Sequence, residues 1–338
     1  MRAPSVDSPK GLPWTFPAAH RLLGTHELQR RGKNCVREAV AFAPGHITGI
    51  FRIHDSPVDP LEKGSCGAGV SIGKGVTTKV VADHAPRNAF QIRINGQSTA
   101  AAIVSEYVLS TFFTRMKAHY RVTIDHSVQT PMGSGFGSSG AGALSLALAL
   151  NDVFDAGLSP LEAAQVAHIA EVHYKTGLGT VIAETVGGVE MRLKPGGPGV
   201  GEVQQIPVGN DYVVACMSLG PIATSHVLGD EGLRSKINQF GDSILQQLVE
   251  QPDPATFMKL SREFSEHVGL ISPRLRKILH ETDREGITCS MAMLGESLFS
   301  LVERVEGDRL RKIFTQHASG NHTVLLADID FEGARLLD

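Results

Sequence analysis

Five glycines within the ten residues 133–142 are the feature of this sequence that most restricts its fold. They lie in the stretch Pro131-Met-Gly-Ser-Gly-Phe-Gly-Ser-Ser-Gly-Ala-Gly142. Each glycine loses much conformational entropy on folding, so packing alone does not explain the cluster. The stretch is typical of a loop whose backbone N–H groups face one way and lead into a helix N-terminus, an arrangement that binds anions. The sequence therefore predicts a polyphosphate-binding loop, in which the hydroxyls of Ser138 and Ser139 can reach phosphate oxygens or a metal.

The strand and helices predicted on either side of this loop restrict which class of phosphate-binding loop it can be. Residues Tyr120–Ser127 alternate as a strand, and Ser139–Phe154 is apolar nearly all round, which predicts a buried helix. A second helix is predicted from Ser159, where Ser-Pro-Leu-Glu forms a capping box, to Tyr174. The G-x-G-x-x-G pattern at 135–140 also matches a dinucleotide-binding loop, but that fold needs a strand where this chain has its second helix. We therefore exclude a dinucleotide-binding domain.

Strands and helices are both predicted in each half of the chain, which indicates an α+β protein of two domains. The Pro- and Gly-rich stretch 194–201 is the best candidate for the border between them. The predicted divisions are an N-terminal extension at 1–36, with Trp14 and Phe16 as candidate anchors, an N-terminal domain at 37–200 and a C-terminal domain at 201–338.

The remaining elements follow from alternation, helical spacing and turn residues. They are strands at 38–42 and 47–54, a hairpin of 67–72 and 76–81, a strand at 90–94, a helix at 100–119, strands over 181–193, a strand at 212–217, helices over 225–280, and a closing strand, helix and strand at 297–301, 307–317 and 322–329.

Composition and charge exclude several function classes. The 338 residues are 42% apolar and 20% charged, which is enough for ordered cores. A formal net charge of −3 leaves no basic surface for nucleic acid. No apolar run is long enough to span a membrane, and the N-terminus has no secretory signal. Four cysteines without zinc-site spacing indicate reduced thiols in a cytoplasmic protein.

Three motifs of this chain resemble the GHMP kinase superfamily of galactokinase, homoserine, mevalonate and phosphomevalonate kinases. They are Ala-Pro-Gly-His-Ile-Thr-Gly at 43–49, the glycine loop from Pro131 to Ala143, and Ile-Thr-Cys-Ser-Met-Ala-Met-Leu-Gly at 287–295. Their order and spacing extend the resemblance from Arg37 to the C-terminus. The resemblance implies an N-terminal domain like the second domain of ribosomal protein S5 and a ferredoxin-like C-terminal domain.

Within the superfamily, the chain looks most like the archaeal pantoate kinases. His46 stands where many members have Lys or Arg, and Thr-Gly-Leu-Gly at 176–179 and Gly-Ser-Cys-Gly-Ala-Gly-Val at 64–70 strengthen the likeness. The resemblance implies phosphorylation of the 4-hydroxyl of pantoate in coenzyme A biosynthesis, with ATP and Mg²⁺ as cofactors and often a homodimer. The alternatives are a homoserine- or mevalonate-type kinase, a diphosphomevalonate-type decarboxylase, and a non-catalytic nucleotide- or metabolite-binding relative.

The resemblance also assigns the nucleotide and metal sites. It implies Mg²⁺ ligands at Ser139 and at Glu171, for which a solvated helix-end glutamate is the alternative. The loop residues expected to bind ATP are Pro131, Gly133, Ser134, Gly135, Phe136, Gly137, Ser138 and Ser139.

The acceptor side is less well defined. Many superfamily members have a catalytic Asp where this chain has Gly179 or Thr180, so Thr180 stands at a catalytic position without a carboxylate. His46 is the remaining candidate for a base or a hydrogen-bond donor, and Thr48 is expected to contact the acceptor. A carboxylate substrate favours an arginine fork, and Arg93 and Arg192 are the candidates. The predicted substrate-binding residues are therefore His46, Thr48, Arg93 and Arg192.

Overall fold

Two long antiparallel strands form the centre of the larger sheet. The computed structural model describes residues 36–222 and 230–338, so the predictions for the N-terminal extension lie outside the described residues, as does the start of the helix predicted from 225. Strands β1 (Arg37–His54) and β2 (Gly64–His84) pair along almost their whole length.

The hairpin predicted at 67–81 is wrong, and so is the break predicted within residues 43–45. Pro44 pairs with Gly75 while Gly45 pairs with Ile72, so Gly73 and Lys74 bulge out of a strand that continues on both sides. Proline cannot donate to a ladder and glycine favours bulges, which gives this stretch its turn-like sequence although it lies inside a sheet.

The other strands of the larger sheet come from both halves of the chain. Its order is β12-β1-β2-β5-β3-β4, and β6 pairs with β2 and β7. The division at residue 200 stays a prediction, since two of these strands come after it. The ranges are β3 Ala89–Ile94, β4 Gln97–Ser98, β5 Tyr120–Val128, β6 Val189–Lys194, β7 Glu202–Gln205 and β12 Arg335–Leu337.

Four helices belong to this part of the molecule: α1 Ile103–Arg115, α2 Ser138–Phe154, α3 Pro160–Tyr174 and α4 Thr180–Val186. The buried helix α2 and the capping box at Ser159 are confirmed. The strand predicted from 181 is wrong for its first half, because that segment is helix α4. Its β-branched residues have strand propensity, but burial against the neighbouring elements decides the conformation.

A second, four-stranded antiparallel sheet has the order β11-β8-β10-β9. Cores lie on both sides of β1 and β2: α1–α3 cover one, and the second sheet with its helices covers the other. The α+β prediction is confirmed. Within the described ranges, no helix is long and apolar enough to cross a membrane. The elements are β8 Tyr212–Pro221, α5 Glu231–Glu250, α6 Pro254–Val268, α7 Pro273–Arg284, β9 Ser290–Ala292, β10 Gly295–Glu303, α8 Arg304–His317 and β11 Thr323–Asp328.

Candidate active site

The three sequence motifs meet at one cavity. The backbone N–H of His46 donates to the carbonyl of Phe136 over 3.0 Å, which joins the first motif to the glycine loop. The N–H of Met293, in the third motif, donates to the carbonyl of Thr48 over 3.0 Å. Ser297 Oγ, at the start of β10, donates to the carbonyl of Ser134 over 2.9 Å. The loop is therefore held between β1 and the second sheet.

Backbone geometry explains the glycines of the loop. Gly133, Gly135 and Gly137 have φ of 69°, 84° and 68°, values that L-residues adopt only at a cost. A Cβ on Gly137 would also lie 2.5 Å from Glu184 Oε1. Helix α2 starts directly after Gly137, and among residues 36–222 and 230–338 no side chain caps its N-terminus. Its first N–H groups and its positive dipole end are thus available to an anion.

The residues that line the cavity come from every part of the predicted site. Pro131 and Ser134 of the loop are not among them; the Ser134 side chain is buried beneath. The lining residues are His46, Thr48, Phe51, Ser65, Gly133, Gly135, Phe136, Gly137, Ser138, Ser139, Gly140, Glu171, Thr176, Gly177, Leu178, Gly179, Thr180, Met293 and Leu294.

Ser139 and Glu171 lie together at one end of the cavity. Ser139 Oγ donates to Glu171 Oε1 over 2.6 Å, and Thr176 Oγ1 donates to the same oxygen over 2.6 Å. Glu171 is buried, so it is not a solvated helix-end residue. Burial raises the pKa of its carboxyl, and the two hydroxyl donors oppose that shift. A hydroxyl and a carboxylate are hard oxygen ligands of the kind Mg²⁺ takes alongside phosphate oxygens and waters, so the pair fits that ion.

Thr180 is the first residue of α4, and its side chain lines the cavity. One helical turn later, Glu184 is completely buried behind the loop, and neither of its carboxyl oxygens has a hydrogen-bond partner in the part of the chain that the structure describes. Burial and the negative charge of Glu171 raise the pKa of Glu184 well above its usual range, which favours the protonated carboxyl. Sequence reasoning missed this carboxyl because its segment was assigned to a strand.

A buried cluster of His46, Glu190 and Arg192 lies behind another part of the cavity wall, to which His46 itself belongs. Glu190 Oε1 lies 2.8 Å from His46 Nε2 and also accepts a hydrogen bond from Arg192 Nη1. Glu190 was not predicted, although residues 190 and 192 are two apart on β6 and so share a face of the sheet. An acidic and a basic residue at that spacing between buried apolar residues were the available signal.

The two candidate arginines differ in position. Arg192 is 1% exposed, and its Nε has no hydrogen-bond partner among the described residues. A Cβ on Gly179 would lie 3.0 Å from that Nε and would collide with Ser65 Oγ, so Ser65 lines the cavity next to Gly179 and Arg192 packs directly behind that glycine. Ser65 was not predicted either. Arg93 lies on β3, half-exposed and paired with Asp125 over 3.3 Å, and is outside the cavity.

Comparisons with known proteins identify the family. A family model described as the GHMP kinases N terminal domain matches residues 99–188. A pantoate kinase of Thermococcus kodakarensis is 36% identical over 283 residues, which are 81% of this chain and 91% of the relative. A pantoate kinase of Methanospirillum hungatei is 35% identical over 79% of this chain and 88% of the relative. The chain belongs to the pantoate kinase family.

A solved structure supports the same family assignment. A phosphotransferase related to the coenzyme A biosynthesis pathway is 33% identical and superposes with a TM-score of 0.81 over 88% of this chain and 98% of that one. The GHMP kinase fold predicted from the three motifs is therefore confirmed for this member of the pantoate kinase family.

Proposed function

We propose that the protein is an ATP-dependent pantoate kinase that forms 4-phosphopantoate, a step toward coenzyme A. The observation that carries this proposal is one cavity lined by the glycine loop and a Ser139–Glu171 pair, with the guanidinium of Arg192 packed behind Gly179 of its wall. Identity of 36% to a pantoate kinase over most of both chains favours pantoate over other small alcohols as the acceptor.

The glycine loop is the proposed ATP site. The N–H groups from Gly135 to Ser139 and the N-terminus of α2 can neutralise the β- and γ-phosphates. Phosphoryl transfer passes through a loose transition state, so positioning and charge neutralisation supply most of the catalysis.

Ser139 and Glu171 are the proposed Mg²⁺ ligands. The ion, when bound, neutralises charge on the phosphates during transfer. Thr176 holds the Glu171 carboxylate in the orientation in which Oε1 faces Ser139. The buried position of Glu171 strengthens its attraction to a cation, because less water screens the carboxylate.

Arg192 and Ser65 are the proposed partners of the pantoate carboxylate. The unpartnered Nε of Arg192 and the hydroxyl of Ser65 lie side by side next to Gly179, where only a glycine leaves room. His46 and Thr48, on the β1 side of the cavity, are then placed to contact the hydroxyl end of pantoate. We propose that Thr180 orients the acceptor and does not act as a base, since a threonine hydroxyl is too weak a base near neutral pH.

Two further properties belong to this proposal. The protein is a homodimer, which light scattering of the purified chain tests. It works in the cytoplasm, which is supported by three buried free thiols at Cys66, Cys216 and Cys289, since thiols persist in a reducing compartment.

A substrate panel tests the function. ADP release with ATP and Mg²⁺ is measured for pantoate, homoserine, mevalonate and shikimate side by side, and ³¹P NMR identifies the product. We expect pantoate to have the highest kcat/KM and to give a phosphomonoester at its 4-hydroxyl. Preference for homoserine or mevalonate refutes the assignment of the substrate, and ATP binding without ADP release from any of the four favours a non-catalytic relative.

A further inference from the structure

Glu190 is a buried carboxyl that the proposed function leaves without a role. Its side chain is fully enclosed, and Oε2 has no hydrogen-bond partner within the described ranges. Oε1 is 2.8 Å from His46 Nε2 and also accepts from Arg192 Nη1. Burying a carboxylate is costly unless charged or polar partners compensate, and here one partner, His46, lines the cavity while the other, Arg192, packs behind Gly179 of its wall.

These contacts determine which imidazole nitrogen of His46 carries the proton. An arginine can only donate, and an ionised carboxylate can only accept. The contact of Nε2 with Glu190 Oε1 is attractive only if Nε2 donates its hydrogen. Arg192 Nη1 lies 3.4 Å from the same Nε2. Both nitrogens are then donors, and both donate to Oε1 of Glu190. The neutral ring therefore carries its proton on Nε2, which leaves a lone pair on Nδ1.

In this tautomer the lone pair on Nδ1 accepts a hydrogen bond from the Thr48 hydroxyl. Thr48 Oγ1 is 3.4 Å from His46 Nδ1, and both residues line the cavity. On the opposite side of the ring the backbone of Gly69 packs so closely that any side chain there would collide with the imidazole. The ring is thereby held in place with its side chain fully enclosed, and its Nδ1 lies next to the half-buried Thr48 hydroxyl.

We propose that Glu190 is a positioning residue that holds His46 as the proton acceptor for the substrate hydroxyl. The inference rests on the proposed kinase function. The acceptor oxygen forms its bond to the γ-phosphorus as the bond from that phosphorus to the ADP oxygen breaks. The hydroxyl proton passes to His46 Nδ1, and the imidazolium formed is stabilised by Glu190. After the product leaves, the proton returns to solvent.

The charges around His46 suit a base that is neutral before the reaction. Burial lowers the pKa of His46, Glu190 raises it and the positive charge of Arg192 lowers it. Glu184 on α4 lies beyond Gly137, and burial raises the pKa of its carboxyl; β2 presents the backbone of Gly69, and the Phe136 carbonyl of the glycine loop accepts from the His46 backbone N–H. Glu190 is thus the anion in direct contact with the ring. Removing Glu190 therefore changes the basicity of Nδ1 more than removing any other neighbour of the ring does.

The first experiment needs no substrate. Long-range ¹H–¹⁵N NMR of the full chain reports the tautomer of each neutral histidine, and the His46 signal is assigned by its loss in His46→Gln. We expect the Nε2–H tautomer in the wild type. A proton on Nδ1 overturns the proposal, whether or not pantoate turns out to be the substrate.

The second experiment uses Glu190→Gln, whose Oε1 can still accept from both neighbours while the negative charge is gone. We expect kcat to fall about 10²-fold, the scale of a lost general base, and the acid limb of the kcat profile to move to lower pH. KM for pantoate should not rise, because the positive charge of Arg192 is no longer compensated by Glu190 and still attracts the pantoate carboxylate. Glu202→Gln, an exposed carboxyl paired with Lys194 over 3.7 Å, is the matched control and should behave as wild type.

A double-variant cycle separates positioning from a purely structural role. If Glu190 acts through His46, Glu190→Gln should cost little further kcat in a His46→Asn background. An unchanged acid limb with wild-type kcat, or a full additional loss in the double variant, overturns the proposal. A wild type inactive on all four substrates refutes the kinase function instead, and the tautomer then decides whether Glu190 orients His46.

Discussion

Replacing Arg192 by lysine tests whether this buried guanidinium binds the substrate carboxylate. Lysine keeps the positive charge but loses the planar fork, so the Nη1 contact to Glu190 and the Nε donor next to Ser65 cannot both be maintained. A hydrogen bond to a charged group contributes about 1.5–3 kcal/mol. Loss of one such bond to pantoate predicts a decrease in kcat/KM of roughly 10- to 150-fold at about 1.4 kcal/mol per decade.

The loss should fall mainly on KM for pantoate. The carboxylate does not react, so its contact with Arg192 is the same in the ground state and in the transition state, and its removal weakens both equally. KM for ATP should stay at the wild-type value, because the loop and the Ser139–Glu171 pair are unchanged. Initial rates at saturating ATP and Mg²⁺, with pantoate varied, measure the effect.

Two controls make the result specific. Arg93→Lys changes an arginine outside the cavity, half-exposed and paired with Asp125, and should leave both KM values unchanged. Pantoate methyl ester, which lacks the carboxylate charge, should be a poor substrate for the wild type and no poorer for Arg192→Lys. A wild-type KM for pantoate in a folded Arg192→Lys enzyme, or a raised KM in Arg93→Lys, refutes the assignment of the carboxylate site.

Three further predictions follow from the loop and the buried carboxyls. Ser139→Ala should lower kcat at least tenfold in a protein that still folds, since it removes a proposed metal ligand; wild-type turnover at saturating Mg²⁺ contradicts this. Thr180→Val should cost less than about tenfold in kcat while Glu171→Gln costs much more, and equal losses would assign Thr180 an essential role in holding the acceptor. Because the folded-state pKa of Glu184 is raised, the folded chain keeps a proton that the unfolded chain has lost, so the free energy of unfolding should fall as pH rises above about 4.5. Glu184→Gln should flatten that slope in urea titrations at a series of pH values, and an identical slope in the variant shows that Glu184 does not carry the proton.

Local sequence determined the elements whose signals are contained within a few residues. The glycine loop is recognisable because an anion-binding turn needs backbone conformations that few other residues allow. The capping box at Ser159 and the apolar surface of α2 likewise depend on neighbours in the chain, and each was predicted at its observed position. The motifs also indicated the family and, through the resemblance, the proposed Mg²⁺ ligands Ser139 and Glu171, which belong to separately recognisable segments.

Elements whose conformation depends on distant packing were not determined in this way. The β-branched segment of α4 has strand propensity, but both its ends are at glycines and its centre is buried against other elements, so tertiary contacts outweigh local preference. The Gly73–Lys74 stretch looks like a turn, yet the pairing of β1 with β2 continues across it.

The contact between His46 and Glu190 at the cavity depended on tertiary structure alone. His46 and Glu190 are 144 residues apart and meet because β6 pairs with β2, which places Glu190 opposite Gly69, on whose backbone the His46 ring lies. A single carboxyl or arginine in a strand carries no signal of which distant group it will face, since that depends on strand order and register. The sequence by itself determined a phosphate-binding kinase fold, and the register of β6 decided which charges surround the substrate, because side-chain contacts across a sheet are determined by pairing and not by local propensity.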